Sequence, residues 1–225
     1  MQSLPTLNGI HMLRNERSLE VVGEAPPFLE IICVTYLRLN PLRCLVASLA
    51  CQTNLQFLIK IIHDGPSLET RECVMELKRI YPNLNIVYQE TEFRYNDYGH
   101  TLRSIGLMDS QQEYVLLTND DNYYAPVFIE EIHKVLKRER IDIVFCDMVH
   151  NYALGHQAEP MPYQTLITEP FIERIDIGCF VFRTELGKSI GFKDRTHHAD
   201  GVFFEAMKAA GASIIKIPKV LFVHN

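Results

Sequence analysis

The stretch "TNDDNYY" at residues 118–124 follows the apolar run "EYVLL" at 113–117, so two adjacent carboxylates, Asp120 and Asp121, end what reads as a buried strand. Neighbouring carboxylates repel, and at an effective dielectric near 20 two charges about 4 Å apart cost on the order of 4 kcal/mol. A divalent cation reverses that interaction. Hard oxygen ligands suit Mg²⁺ or Mn²⁺, which take one or two carboxylates and complete their shell with water and substrate phosphates. Such an ion could hold a diphosphate and stabilise its charge as it leaves. A local reading competes: Asn and Asp make turns and cap helices, and "NDDN" directly precedes the helical pattern "APVFIEEIHKVLKRE". The chain contains neither G-x-x-x-x-G-K-[ST] nor G-x-G-x-x-G, so no glycine-rich loop offers its amides to phosphates.

Elements that would position the pair follow from hydrophobic periodicity. "FLEIICVTY" (28–36) predicts a buried strand, and "NPLRCLVASLACQT" (40–53) a helix with Pro41 in its first turn. The same alternation continues through "FLIKIIHD", "SLETRECVMELKRIYP", "LNIVYQE", "YGHTLRSIGLMD" and "EYVLLT". Strands alternating with helices imply a mainly parallel sheet covered on both faces. Ligands of such sheets sit beyond the carboxyl ends of the strands, where the strand order switches. Three strand ends carry polar groups to that rim: Thr35 and Tyr36, His63 and Asp64, Asp120 and Asp121. Further on come a helix at 125–139, the strand "IDIVFCDMV", a stretch from 150 to 173 with no evident structure, "IDIGCFVFRTELGKSIGF", the helix "DGVFFEAMKAAG" and the strand "SIIKIPKVLFVH". Residues 1–27 read as an extension and 28–225 as one domain.

Composition excludes several classes. With 225 residues and 47% apolar content the chain can bury a substantial core. A net charge of -6 speaks against a phosphate-backbone-binding surface, so nucleic acid is not an expected partner. The six cysteines are scattered without a C-x-x-C pair, as expected of reduced thiols in a cytoplasmic protein. No apolar run reaches the roughly 20 residues of a membrane span, and "MQSLPTLNGIHMLRNERSLE" lacks the apolar stretch of a signal peptide.

Over residues 29–225 the sequence resembles the inverting GT-A nucleotide-diphospho-sugar glycosyltransferases of family 2, including the spore-coat polysaccharide transferase type. The matching parts are "EIICVTYLRLNPLRCLVASLACQT", "IKIIHDGPS", "EYVLLTNDDNYYAPVFIEEI" for the DxD-type metal motif, "IDIGCFVFR", and "HADGVFFEAMKAAG". The resemblance implies a three-layer α/β fold with a central, mainly parallel sheet flanked by helices. It also implies transfer from a nucleotide-diphospho-sugar, UDP-linked in most of the family, to a glycan or lipid-linked hydroxyl acceptor in cell-surface or capsular polysaccharide synthesis, with peripheral membrane contact compatible. Thr35 and Tyr36 would line the base pocket, Asp64 would accept a hydrogen bond from the base, Arg94 and Arg103 would reach base or diphosphate, and Asp120 would lie near the ribose and metal. Asp121 would ligate Mn²⁺ or Mg²⁺, with terminal His224 as a further ligand, and Asp200 would be the general base. His63 replaces the first Asp of the family's "DDGS" turn, and Asn119 stands where an Asp is more usual.

Each assignment has a structural counterpart. Asp200 precedes "GVFFEAM" and can be an N-cap; His63 can be a turn histidine; Arg94 and Arg103 can be solvated. Tyr123 and Tyr124 either stack on sugar or pack beneath the loop. Residues 150–173 read as a lid or acceptor loop in which Glu159, Glu169 and Glu173 are candidate acceptor contacts. The alternative function is a non-catalytic sugar-nucleotide-binding or scaffold domain of a larger protein.

Overall fold

In the computed structural model, which describes residues 10–11, 27–138, 140–150 and 162–225, strand and helix alternate as far as residue 119. A two-residue strand β1 (Ile10–His11) precedes β2 (Leu29–Thr35), α1 (Leu39–Ala50), β3 (Phe57–His63), α2 (Leu68–Ile80), β4 (Asn85–Thr91), α3 (His100–Asp109) and β5 (Tyr114–Asn119). Then follow β6 (Tyr123–Tyr124), α4 (Phe128–Arg138), β7 (Ile143–His150), β8 (Gln164–Leu166), a 3₁₀ turn at Ile177–Cys179, β9 (Phe180–Arg183), α5 (Thr184–Ile190), α6 (Ala199–Ala209) and β10 (Ile214–His224). Among the described residues no helix is long and apolar enough to cross a membrane.

One sheet runs β1-β4-β3-β2-β5-β9-β7-β10-β6, with β8 on the side of β7. The block β4-β3-β2-β5 is parallel, as is the pair β7 and β10. Strand β9 runs antiparallel to both β5 and β7 and joins the two blocks. The expected α/β architecture therefore holds, with a mixed sheet in its second half. All seven residues of β2 are buried, which is what a strand covered on both faces requires and why its sequence runs apolar without alternating.

The order also fixes where a ligand can sit. From β2 the chain winds outward to β3 and β4, then returns to β5 on the other side of β2, so the switch in strand order lies between β2 and β5. Thr35 is level with His63, His63 with Glu90, and Val34 with Asn119, so the polar ends form one rim. The described part of the stretch 150–173, from residue 162 on, is more ordered than its sequence suggests. Met148 pairs with Leu166, and the Thr168 N–H donates to Asp147 Oδ1 at 2.8 Å. Three residues are too few to display a strand period, which is why β8 escapes sequence reading; Glu159 lies outside the described residues.

Beneath the rim the sheet carries a buried charge network. Lys60 on β3, 5% exposed, pairs with Glu30 on β2, 1% exposed, and lies 3.0 Å from Asp109 Oδ2, while the Ser110 hydroxyl donates to Glu30 Oε2 at 2.7 Å. Removing one partner of such a pair leaves an uncompensated buried charge. Lys60→Met is expected to lower stability by about 3–5 kcal/mol. Urea unfolding measures it, and adding Glu30→Gln should restore part of the loss.

Candidate active site

At the switch point β2 and β5 deliver their ends into a cleft of about 680 Å³. The Thr35 hydroxyl donates to Asp120 Oδ2 at 2.6 Å. Asp120 is 2% exposed, and burial pushes its carboxyl up to about 6 despite the Thr35 bond and the Arg38 charge, which pull it down. Arg38, half exposed, straddles the acidic pair. Its Nη1 lies 3.3 Å from Asp120 Oδ1 and its Nη2 donates to Asp121 Oδ2 at 2.5 Å. The other Asp121 oxygen, Oδ1, is buried and accepts no hydrogen bond among the described residues.

One end of the cleft is walled by Tyr36, Asp64 and Arg94. The Arg94 guanidinium lies 3.7 Å over the Tyr36 ring. Asp64 accepts from the main-chain N–H groups of Tyr95 at 2.7 Å and Asn96 at 2.9 Å, so it anchors the loop after β4. Asn96 and Tyr98 in that loop have positive φ of 53° and 57°, and its geometry rests on that carboxylate. His63 is the turn histidine of the local reading: Nδ1 bonds the Gly65 carbonyl at 2.7 Å, and Nε2 accepts from the Leu37 N–H at 3.2 Å. Those partners fix the Nδ1–H tautomer and clamp Leu37, whose φ is 52°, between Tyr36 and Arg38. Arg103 is 5% exposed, which overturns the solvated reading; its guanidinium donates to Asn119 and to the Tyr98 carbonyl.

Asp200 sits in the first turn of α6 and is not its cap. Instead it reaches across to the 3₁₀ turn, where the Ile177 N–H donates to Oδ2 at 3.4 Å. Burial first and the Asp176 charge second push its carboxyl up to about 6, against Arg103, the Ile177 N–H and His224, which lower it. Asp176 caps the 3₁₀ turn by accepting from the Gly178 N–H at 2.8 Å and lies 3.4 Å from His224 Nε2. The His224 ring stacks on His150 at 4.3 Å, a place set by the β7–β10 pairing, and the neighbouring Val223 pairs with Tyr123 of β6. Asp176, His150 and Asp200 also line a second cavity of about 480 Å³, and Asp200 and His197 stand on the wall common to both cavities.

A family model, glycosyl transferase family 2, matches residues 30–201. The chain belongs to glycosyl transferase family 2. Over 120 residues, 53% of the chain and 41% of its relative, it is 30% identical to an uncharacterized glycosyltransferase, YwdF, of Bacillus subtilis. It therefore spans about two fifths of that relative's length. Its fold matches residues 1–349 of S. aureus TarS with a TM-score of 0.69 at 19% identity, over 88% of this chain and 60% of that one. A mannosyltransferase from Pyrobaculum calidifontis, PcManGT, solved with GDP-Man and Mn²⁺, matches with a TM-score of 0.67 at 15% identity over 89% and 57%. At these identities the structural likenesses show the fold, which is GT-A.

Within this family 2 domain the structure gathers Thr35, Tyr36, Asp64, Arg94, Arg103, Asp120 and Asp200 around one cleft. Asp121 joins them through Arg38, whereas His224 faces Asp176. Tyr124 is fully buried, its hydroxyl 2.8 Å from Thr118 Oγ1 and 3.1 Å from the Gly178 carbonyl, so it packs beneath the loop; Tyr123 is 45% exposed. Glu169 pairs with Arg174. Sequence reasoning gave no role to Arg38 or Asp176, although both lie inside motifs it quoted, "EIICVTYLRLNPLRCLVASLACQT" and "IDIGCFVFR". Among the described residues no three His, Cys, Asp or Glu side chains are gathered to hold a metal by themselves. The donor set nevertheless fits Mg²⁺ or Mn²⁺, which need only one or two carboxylates when phosphates complete the shell, and the unpartnered Asp121 Oδ1 supplies one such oxygen. For the loop anchor the expectation is direct. Asp64→Ala should speed hydrogen exchange at the amides of Tyr95 and Asn96 by about tenfold to a hundredfold, since bonds to charged acceptors are worth about 1.5–3 kcal/mol.

Proposed function

We propose that this family 2 domain transfers a sugar from a nucleotide-diphospho-sugar, with UDP as the nucleotide, to a hydroxyl of a glycan or lipid-linked acceptor, inverting the anomeric carbon. The observation that carries this reading is the position of Asp200, a partly buried carboxylate with raised proton affinity on the wall between two cavities. The larger cavity takes the donor and the smaller the acceptor. Tyr36, Asp64 and Arg94 hold the base end, and Asp120 and Asp121 face the diphosphate and would hold Mg²⁺ or Mn²⁺ there. Bound in that position, the ion supplies Lewis-acid stabilisation of the leaving diphosphate. The likeness to TarS, solved with UDP and with UDP-GlcNAc, supports a uridine donor, and PcManGT with GDP-Man and Mn²⁺ supports the divalent ion.

The step needs a base on the side of the sugar opposite the diphosphate. An acceptor hydroxyl in the smaller cavity passes its proton to Asp200 as its oxygen attacks the anomeric carbon, and the bond to the diphosphate breaks with its electron pair. A carboxyl at about 6 is ionised at neutral pH yet more basic than an ordinary aspartate, which suits this work.

Calorimetry tests donor binding first. UDP should bind with Mn²⁺ present and lose that binding in Asp121→Ala; if UDP, GDP and dTDP all fail to bind the wild type, the reading is wrong and the scaffold alternative stands. Asp200→Asn should keep UDP affinity while lowering kcat by about 10²- to 10⁴-fold, the usual contribution of a general base. Because Asp200 must be ionised, kcat/KM of the wild type should rise with pH, reach half its plateau near 6 and fall as Asp200 takes up its proton below that. Burial sets this midpoint first; Asp176 raises it further, and Arg103, the Ile177 N–H and His224 lower it. A profile flat from pH 5 to 8 would remove Asp200 from the role.

A further inference from the structure

Arg38 belongs to no part of the chemistry derived so far, yet it is the one cation in contact with both members of the acidic pair among the described residues. It stands on the loop between β2 and α1, which His63 clamps through Leu37, so its backbone is held while its side chain is half exposed. Both nitrogens of its fork are engaged, Nη1 with Asp120 Oδ1 and Nη2 with Asp121 Oδ2. A divalent ion drawn to these carboxylates meets the guanidinium already on one oxygen of each.

We propose that Arg38 is an exchangeable counter-ion that competes with the divalent metal for Asp120 and Asp121, so that metal binds well only together with the nucleotide diphosphate. This rests on the donor-site reading above. The physical reason is charge. Metal alone would add two positive charges beside a guanidinium that already neutralises half of the pair, whereas metal plus diphosphate brings a negative partner for the displaced fork, whose planar donors match phosphate oxygens. Arg38 lines the same cleft, so it need not leave the site to exchange partners. Binding of metal and nucleotide is then reciprocal: each raises the affinity for the other by one and the same factor. Arg38 acts as a positioning residue that sets the order of assembly and keeps the carboxylates from attracting free cations.

The test is a titration of Mn²⁺ into the whole chain, with and without UDP, for the wild type and Arg38→Gln. In the wild type UDP should strengthen Mn²⁺ binding. In Arg38→Gln, Mn²⁺ alone should bind about fivefold tighter or more, within the usual range of coupling between sites, and the strengthening by UDP should shrink. Arg38→Lys keeps the charge but reaches only one carboxylate at a time, so Mn²⁺ alone should tighten by a smaller factor; this variant carries the test if Arg38→Gln does not fold. Arg43→Gln, which breaks a surface pair with Glu76 outside the site, should leave both titrations unchanged. Unchanged or weaker binding of Mn²⁺ alone to the Arg38 variants, with UDP-assisted binding intact in the wild type, overturns the counter-ion role and leaves the proposed function standing. If no protein binds Mn²⁺ even with UDP, both fall together.

Discussion

Two adjacent carboxylates cannot be carried into a buried crevice without something to balance them, and that constraint shapes the centre of this molecule. Asp120 is nearly inaccessible and Asp121 follows directly, at the point where β5 leaves the sheet. The parallel register of β2 and β5 sets the Thr35 hydroxyl against one carboxylate, and the turn after β2 lays Arg38 across both. Without that register the pair would be either solvated and useless for ordering a diphosphate or buried and repelled. The His63 clamp on Leu37 follows from the same need, because the loop that carries Tyr36 and Arg38 must keep one course.

The two blocks of the sheet divide the work. The parallel block β4-β3-β2-β5 presents the end of the cleft proposed for the nucleotide, with its ends aligned by pairing of Thr35 with His63 and His63 with Glu90. The block β7-β10 would stand apart from it were β9 not inserted antiparallel between β5 and β7. That strand is reached through the 3₁₀ turn at Ile177–Cys179, which packs so tightly that a Cβ on Gly178 would come within 2.5 Å of the Phe222 ring. The turn is the floor on which Asp176 and Asp200 meet, so the joint between the blocks is also where the two cavities meet.

Local periodicity and end residues made most of the parallel half legible, because a strand buried on both faces reads as an apolar run and a covering helix reads as a 3.6-residue stripe. The rim residues were legible too, since Thr35, Asp64 and Asp120 all lie where such runs stop. Illegible was whatever depends on pairing between distant segments. Nothing local in "IDIGCFVFR" says that it lies antiparallel between two strands that both come much earlier in the chain, and nothing in "QTL" says that it pairs with β7. Arg103 on α3 reads as a surface arginine because its partner, Asn119, comes from the end of β5. Asn119 in turn reads as a departure from the family pattern, and the structure gives it a task as the acceptor for that arginine. Asp200 reads as a cap because a sequence shows only that a helix follows, not that its first turn faces a 3₁₀ turn from elsewhere.

Asp120 and Asp200 show how one residue type supports two roles in one cleft. Burial pushes both carboxyls up to about 6, so proton affinity alone does not separate them. Their partners do. Asp120 accepts the Thr35 hydroxyl at 2.6 Å and has a guanidinium nitrogen at 3.3 Å, contacts that favour a fixed, charged carboxylate suited to holding cations. Asp200 has a like charge, Asp176, as its strongest neighbour and a single main-chain donor at 3.4 Å among the described residues, so its oxygens remain available to a hydroxyl that enters the second cavity. A carboxylate already holding a hydroxyl and a guanidinium has its oxygens occupied, and one left with a like charge and a long hydrogen bond has them open to a new donor. In the proposed reading, the same desolvation therefore serves an anchor at one end of the cleft and a proton acceptor at the other.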